Sequence, residues 1–139
     1  MDSDFALTRA LNRLIAALND TIGAYEAAAA HAHSFALYAE YEHDVTLRRD
    51  IVRRLKRKVS HLGGEPQGGG TLRGWFKRGL VHLLGTGLGN ETFVLRLFER
   101  EERHVIACIR ALAADGELPP ALRRELTTIL RSLNDELYR

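Results

Sequence analysis

One cysteine, one methionine, one tryptophan and three prolines are all that the 139 residues hold of those types. A lone Cys108 can close no disulfide within the chain, which excludes a stapled fold and fits a reducing compartment. A lone Met1 excludes a methionine-rich binding surface. No stretch approaches ~18 uninterrupted apolar residues, so no membrane-crossing helix is expected. The opening Met1-Asp2-Ser3-Asp4 is acidic where a secretory signal carries basic residues, and this points to the cytoplasm. Net charge is only +2, with 45% hydrophobic and 27% charged residues. That composition belongs to a folded chain, and its length suits a single domain over 1–139.

What the chain has in abundance is helical periodicity. Leu7, Leu11, Leu14, Ile15, Leu18, Ile22, Tyr25 and Ala29 recur at steps of three and four, giving one seam. Asp4 or Thr8 is the candidate cap of this first helix, over about 4–30. Gly23 within it permits close approach of a second backbone. After the corner His31-Ala32-His33, Ser34 is placed to cap a second helix, over about 34–62. Its seam runs through Tyr38, Tyr41, Val45, Val52, Leu55, Val59 and Leu62, widened by Leu37 and Ile51, and one seam position is Arg48. Gly63-Gly64 marks its end.

Glu65-Pro66-Gln67-Gly68-Gly69-Gly70 reads as a flexible break. A short amphipathic helix over about 71–84 follows, with Leu72, Trp75, Phe76 and Leu80 opposite Arg73, Lys77 and Arg78. It has the look of a membrane-surface helix, but a crossover docking Trp75, Phe76 and Leu80 on the bundle is preferred, because the fold needs a connection of this length. Asn90 caps a third helix over about 90–115, whose seam is Val94, Phe98, Val105, Cys108, Ile109 and Leu112. Pro119-Pro120 opens a fourth, over about 119–138, with Leu122, Leu126, Ile129, Leu130, Leu133 and Leu137. No alternating pattern suggests a strand. The expectation is an all-α four-helix bundle, two helical hairpins joined by a crossover.

Two Glu-x-x-His matches, Glu40-Tyr41-Glu42-His43 and Glu101-Glu102-Arg103-His104, raise the question of a metal centre. Residues three apart share a helix face, and carboxylate with imidazole suits iron or manganese. With Glu26, such a site has Glu26, Glu40, His43, Glu99, Glu101, Glu102 and His104 as candidate ligands. At about 100° per residue, however, His43 falls on the far side of its helix and His104 at the border of its own. The fourth helix offers no carboxylate or histidine to its inner face on this reading. Arg48, by contrast, points inward, and a buried guanidinium needs a carboxylate. The preferred reading is a buried ion pair of Arg48 with Glu101 or Glu102, with Asp44 one turn away.

Other features carry less. Arg53, Arg54, Lys56, Arg57 and Lys58 form a dense basic run that could hold an anionic surface. It has no interleaved aromatics and no nucleic-acid motif, so a solvated helix face is preferred. His31 and His33 lie in a corner, and His61 and His82 have no companion at ligand spacing. Gly68-Gly69-Gly70 lacks the Lys and Ser or Thr of a phosphate loop.

Several short motifs nevertheless align with something known. Leu11-Asn12-x-Leu14-Ile15, then Asn19-Asp20 and Gly23-x-Tyr25-x-Ala27-Ala28, lie on the first helix. Arg48 and Leu62-Gly63-Gly64-Glu65-Pro66 follow, then Arg73-Gly74-Trp75, Glu99-Arg100-x-Glu102 and Leu118-Pro119-Pro120. Over nearly its whole length the chain resembles an uncharacterised bacterial family of ferritin-like bundles, a domain of unknown function. The resemblance implies a ferritin-like fold, and of the family's acidic positions Glu99 and Glu102 carry over. Where that family has an acidic residue before the first-helix glycine and a histidine late in helix four, this chain has Ile22 and Leu137 or a neighbour of it.

The functional expectation is a cytoplasmic, non-catalytic structural or interaction module, a homodimer with room for a further protein partner. It requires no cofactor, and binds neither nucleic acid nor a membrane surface. The alternatives are a di-iron or di-manganese carboxylate protein with oxidase- or storage-like chemistry, and an anion binder acting through Arg53–Lys58.

Overall fold

Two long helices open the chain and lie side by side. A computed structural model describes the backbone of residues 2–70 and 91–137, and the side chains of 4–70 and 98–136. Its helices are α1 (Asp2–Ala30), α2 (Phe35–His61), α3 (Glu91–Ala113) and α4 (Pro120–Leu137). Among the described residues there is no strand, and the architecture is that of an all-α four-helix bundle. The expected crossover helix over 71–84, with Trp75, His82 and the Asn90 cap, lies outside the described residues, as do the side chains of Val94 and Leu137.

The ends of α2 follow from local chemistry. Ser34 is extended, and its Oγ accepts from Leu37 N–H at 3.1 Å, filling one of the donors a helix start leaves open. At the other end Gly63 has φ +83°, and the N–H groups of Gly63 and Gly64 donate to Ser60 and Val59 carbonyls. That pair of bonds is the Schellman arrangement, which needs a residue at ease with positive φ. Gly64 suits its place for a different reason: a Cβ there would run into the Thr8 methyl, which would have to shift. α1 begins at Asp2, so neither Asp4 nor Thr8 caps it; Thr8 instead packs under the end of α2.

The core is the sum of the four seams. Leu11, Ile15, Leu18, Ile51, Leu55, Val59, Ile109, Leu126, Ile129 and Leu133 are each fully buried, and burying a side chain of this size contributes about 1.5–3 kcal/mol. Tyr38 departs from its expected seam place and is 44% exposed. Cys108, Leu112 and Leu130 are only partly buried.

Contacts set the directions. Tyr25 of α1, Tyr41 of α2 and Phe98 of α3 cluster at one end, with ring centroids 4.8–6.1 Å apart. At the opposite end Leu7 and Ala10 share a small pocket with Leu112 and Leu118. α2 and α3 therefore run the same way, and α1 and α4 run against them.

Residues 64–70 are not the loose break that their glycines suggest. Asn12 Nδ2 donates to the Glu65 carbonyl at 2.9 Å, and Gln67 N–H donates to Asn12 Oδ1 at 2.8 Å. Asn19 Nδ2 donates to the Gly69 carbonyl at 3.1 Å. The segment climbs α1 from Thr8 to Asp20. Those positions are about 18 Å apart along a helix, and six extended steps reach about 20 Å. It is a strap, held by two asparagines two turns apart.

Candidate functional site

Position 48 falls where the seam of α2 calls for an aliphatic side chain, between Val45 and Val52, and it carries a guanidinium that is 1% exposed. Glu102 on α3 meets it with both oxygens: Nε donates to Oε1 at 2.9 Å and Nη2 lies 2.7 Å from Oε2. This is the two-point geometry that matches a planar guanidinium to a carboxylate. Nη1 donates to the Asp44 carbonyl at 2.8 Å and to Glu136 Oε1 on α4 at 3.1 Å. From α1, the Tyr25 ring lies under the guanidinium carbon at 4.6 Å, within cation–π range. All four helices thus meet on one side chain.

The electrostatics follow from that crowding. Burial pulls the Arg48 pKa down, but the charge and hydrogen bonds of Glu102 more than reverse this and hold it above its usual value. Tyr25 is hydrogen-bonded to Glu102, and burial, reinforced by that carboxylate, pushes its hydroxyl well above the usual phenol range. Asp44 is buried too, and among the described residues its Oδ1 finds no hydrogen-bond donor. Burial, with Glu40 and Glu102 adding to it and Arg48 opposing, pushes its carboxyl up to about 6. Among the described residues one guanidinium therefore faces three carboxyls, and that of Asp44 receives no bond from it.

The sequence-derived site residues fall into two groups. Arg48, Asp44 and Glu102 lie together in the core, and Glu101 sits half-buried beside them on α3. The carboxylates that bind Arg48 directly are those of Glu102 and Glu136, and Asp44 reaches it through its backbone oxygen. The candidate metal ligands disperse. Glu26 is exposed and pairs with Arg49 at 3.0 Å, and Glu99 is exposed and pairs with Arg103 at 2.5 Å. Glu40 and His43 are exposed, and His104, also exposed, lies 3.8 Å from Cys108 Sγ. Burial raises the pKa of that thiol, so His104 does not make it a reactive thiolate. Among the described residues no group of three or more His, Cys, Asp or Glu is placed to hold a metal ion. The residues around Arg48 do not fit one, since a fixed positive charge already stands among their carboxylates.

Glu136 corrects the expectation that α4 offers no carboxylate inward. Its side chain is 10% exposed and joined to Arg48. The signal was present: Leu122, Leu126, Ile129 and Leu133 step by four, three and four, and the next step of three lands on 136. An apolar Leu137 next door drew the seam off by one position. Asn12 and Asn19, which hold the strap, likewise stand seven apart on one face.

Helical geometry divides the basic run. Arg54 pairs with Asp50 at 3.2 Å, and Lys58 approaches Glu125 of α4 at 4.0 Å. Arg57 is exposed, while Arg53 and Lys56 turn to the flank shared with α1. No helix among the described residues is long and apolar enough to cross a membrane.

No curated protein and no solved structure matches the chain. A family described only as a domain of unknown function (DUF2383) matches residues 6–114, which takes in most of α1 and all of α2, the strap and α3, with Arg48 and Glu102. The match covers well over half of the sequence, and the chain belongs to that family.

Proposed function

We propose that the protein is a ferritin-like bundle of bacterial type, cytoplasmic and non-catalytic, in which a buried ion pair occupies the place where a metal would lie. On this reading it serves as a structural or interaction module and associates as a homodimer. The observation that carries it is the 1% exposed guanidinium of Arg48, bound through Nε and Nη2 by Glu102 and through Nη1 by Glu136, and touched by every helix. An ion there repels a second cation, and removing it strands carboxylates rather than freeing ligands. The direction of the helices supports the ferritin-like part, because a same-direction α2 and α3 belong to a bundle with one long connection. The exposed Phe35 and Tyr38, three apart at the start of α2, support an association surface.

Metal analysis of protein purified without chelator is the direct test. The expected result is iron and manganese far below one equivalent per chain, unchanged by Glu102→Gln. Near-stoichiometric metal, lost on Glu102→Gln or Glu101→Ala, would overturn the proposal in favour of a carboxylate metal protein. Sedimentation of the full chain at several concentrations tests the dimer.

A further inference from the structure

The flank of the α1–α2 hairpin carries a groove that the ion-pair reading does not use. It is about 680 Å³ in volume, within the range of small-molecule pockets. Ile22 and Gly23 from α1 and Val52 from α2 supply its apolar surface. No residue of α3 or α4 lines it. One end meets the strap at Gly69 and Gly70, where Asn19 holds the Gly69 carbonyl. The Glu26–Arg49 bridge, 3.0 Å long, joins the two helices toward the other, with Thr46 lining the groove one turn beyond it. Between Asn19 and Glu26 the wall of α1 rises about 10 Å.

The charges along it are unbalanced. Arg49 is matched by Glu26, but Arg53 has only a distant Asp50 oxygen at 3.8 Å, and Lys56 has no carboxylate within bridging distance among the described residues. Two cations thus border an apolar strip in an open recess that stops at the strap. Cations left unmatched along a structural surface are ordinary when they stand in open water. Here they stand over a concave surface that also offers Ile22 and Val52, a combination that suits a ligand with a charged head and an apolar body.

We infer that this groove binds an amphiphilic organic anion, its acidic head on Arg53 and Lys56 and its apolar part along Ile22, Gly23 and Val52. The ligand is a single molecule, its length limited by the strap at Gly69 and Gly70, where the groove ends. Neither half of such a ligand is sufficient. An inorganic anion lacks the apolar contact, and a neutral chain lacks the partner for the two cations.

Calorimetric titration of the full-length protein with decyl phosphate, below its micelle concentration, tests this against inorganic phosphate and decanol. Decyl phosphate is expected to saturate at one per chain, at least tenfold more tightly than either comparison compound and more weakly as salt rises. Arg53→Glu/Lys56→Glu is expected to weaken it at least tenfold. Arg57→Glu/Arg131→Glu, the same change of net charge at exposed positions outside the groove, is expected to leave it within about twofold. The far-ultraviolet circular dichroism of both variants, compared with the parent, confirms folding. Absence of saturable binding, or equal loss in both double variants, overturns the inference. So does inorganic phosphate binding as tightly as its decyl ester. Retention on phosphatidylglycerol vesicles without one-to-one uptake of decyl phosphate would assign the charges to a lipid surface instead, and also overturns it.

Discussion

Arg48 and Arg49 are neighbours in sequence, and each holds a glutamate from another helix at 3.0 Å or less. By contact distance the two pairs are nearly the same interaction. Their surroundings differ completely: the Arg48 side chain is 1% exposed and that of Glu102 4%, whereas Arg49 and Glu26 stand at 57% and 46%. In water an ion pair exchanges one set of favourable contacts for another and gains little. In the core both charges have already lost their hydration, so each depends on the other. A rotation of about 100° around α2 therefore separates a pair that holds the bundle's register from one that lines a surface groove.

The largest effect expected from this contrast is on Arg48→Leu. The substitution should destabilise the fold by about 3–5 kcal/mol, because Glu102 and Glu136 lose their counter-charge while Glu102 stays buried. Adding Glu102→Leu should restore most of the loss, since a well-packed apolar pair can replace a buried ionic one. Urea unfolding of the parent, single and double variants measures both. A negligible effect of the single change would place Arg48 energetically with its neighbour, and the contrast would fail.

The same contrast decides how much could be read from sequence. The all-helical, four-helix character was legible in the steps of three and four, since each seam buries one stripe and nothing alternates. Arg48 itself was legible for the same reason, as the one charge on an otherwise apolar stripe of α2. Its second carboxylate partner was not, because Glu136 and Leu137 both lie close to the α4 seam and hydropathy favours the leucine. The strap was hidden for a different reason. Glycines and a proline signal freedom from helix, but the restraint comes from Asn12 and Asn19, some 50 residues earlier. The flank groove depends on how two helices and the strap sit together, and a charge run read along one helix mixes its lining with Arg54 and Lys58, which pair elsewhere.

A smaller effect, confined to one pH window, is expected at Asp44. Its folded pKa of about 6 lies above the ordinary 3.8, so between those values the folded state takes up a proton more readily than the unfolded chain. The stability it contributes is complete below about 4 and is lost as pH rises through about 6. Asp44→Asn keeps the shape without the charge. The variant should match the parent most closely near pH 4, gain on it as pH rises through about 6, and keep a level advantage from there to pH 8, read as the difference in urea midpoint. A difference that stays constant across that range would mean that Asp44 is ionised in the core at no cost, with Arg48 serving three carboxylates rather than two.

The smallest effect is the other side of the comparison. A double-mutant cycle of Arg49→Ala and Glu26→Ala should give a coupling of about 0.2–1 kcal/mol. That coupling should shrink at ~1 M salt, where screening acts over about 3 Å. The Arg48–Glu102 coupling, shielded from ions, should keep most of its value under the same conditions. Adjacent arginines with matched partners and similar bond lengths would then differ several-fold in coupling, and exposure alone would account for it. A coupling at Arg49 above about 2 kcal/mol, insensitive to salt, would instead mean that this part of the groove is desolvated. The flank would then have to be treated as interior, and the cations Arg53 and Lys56 beside it would need a counter-charge for the same reason that Arg48 does.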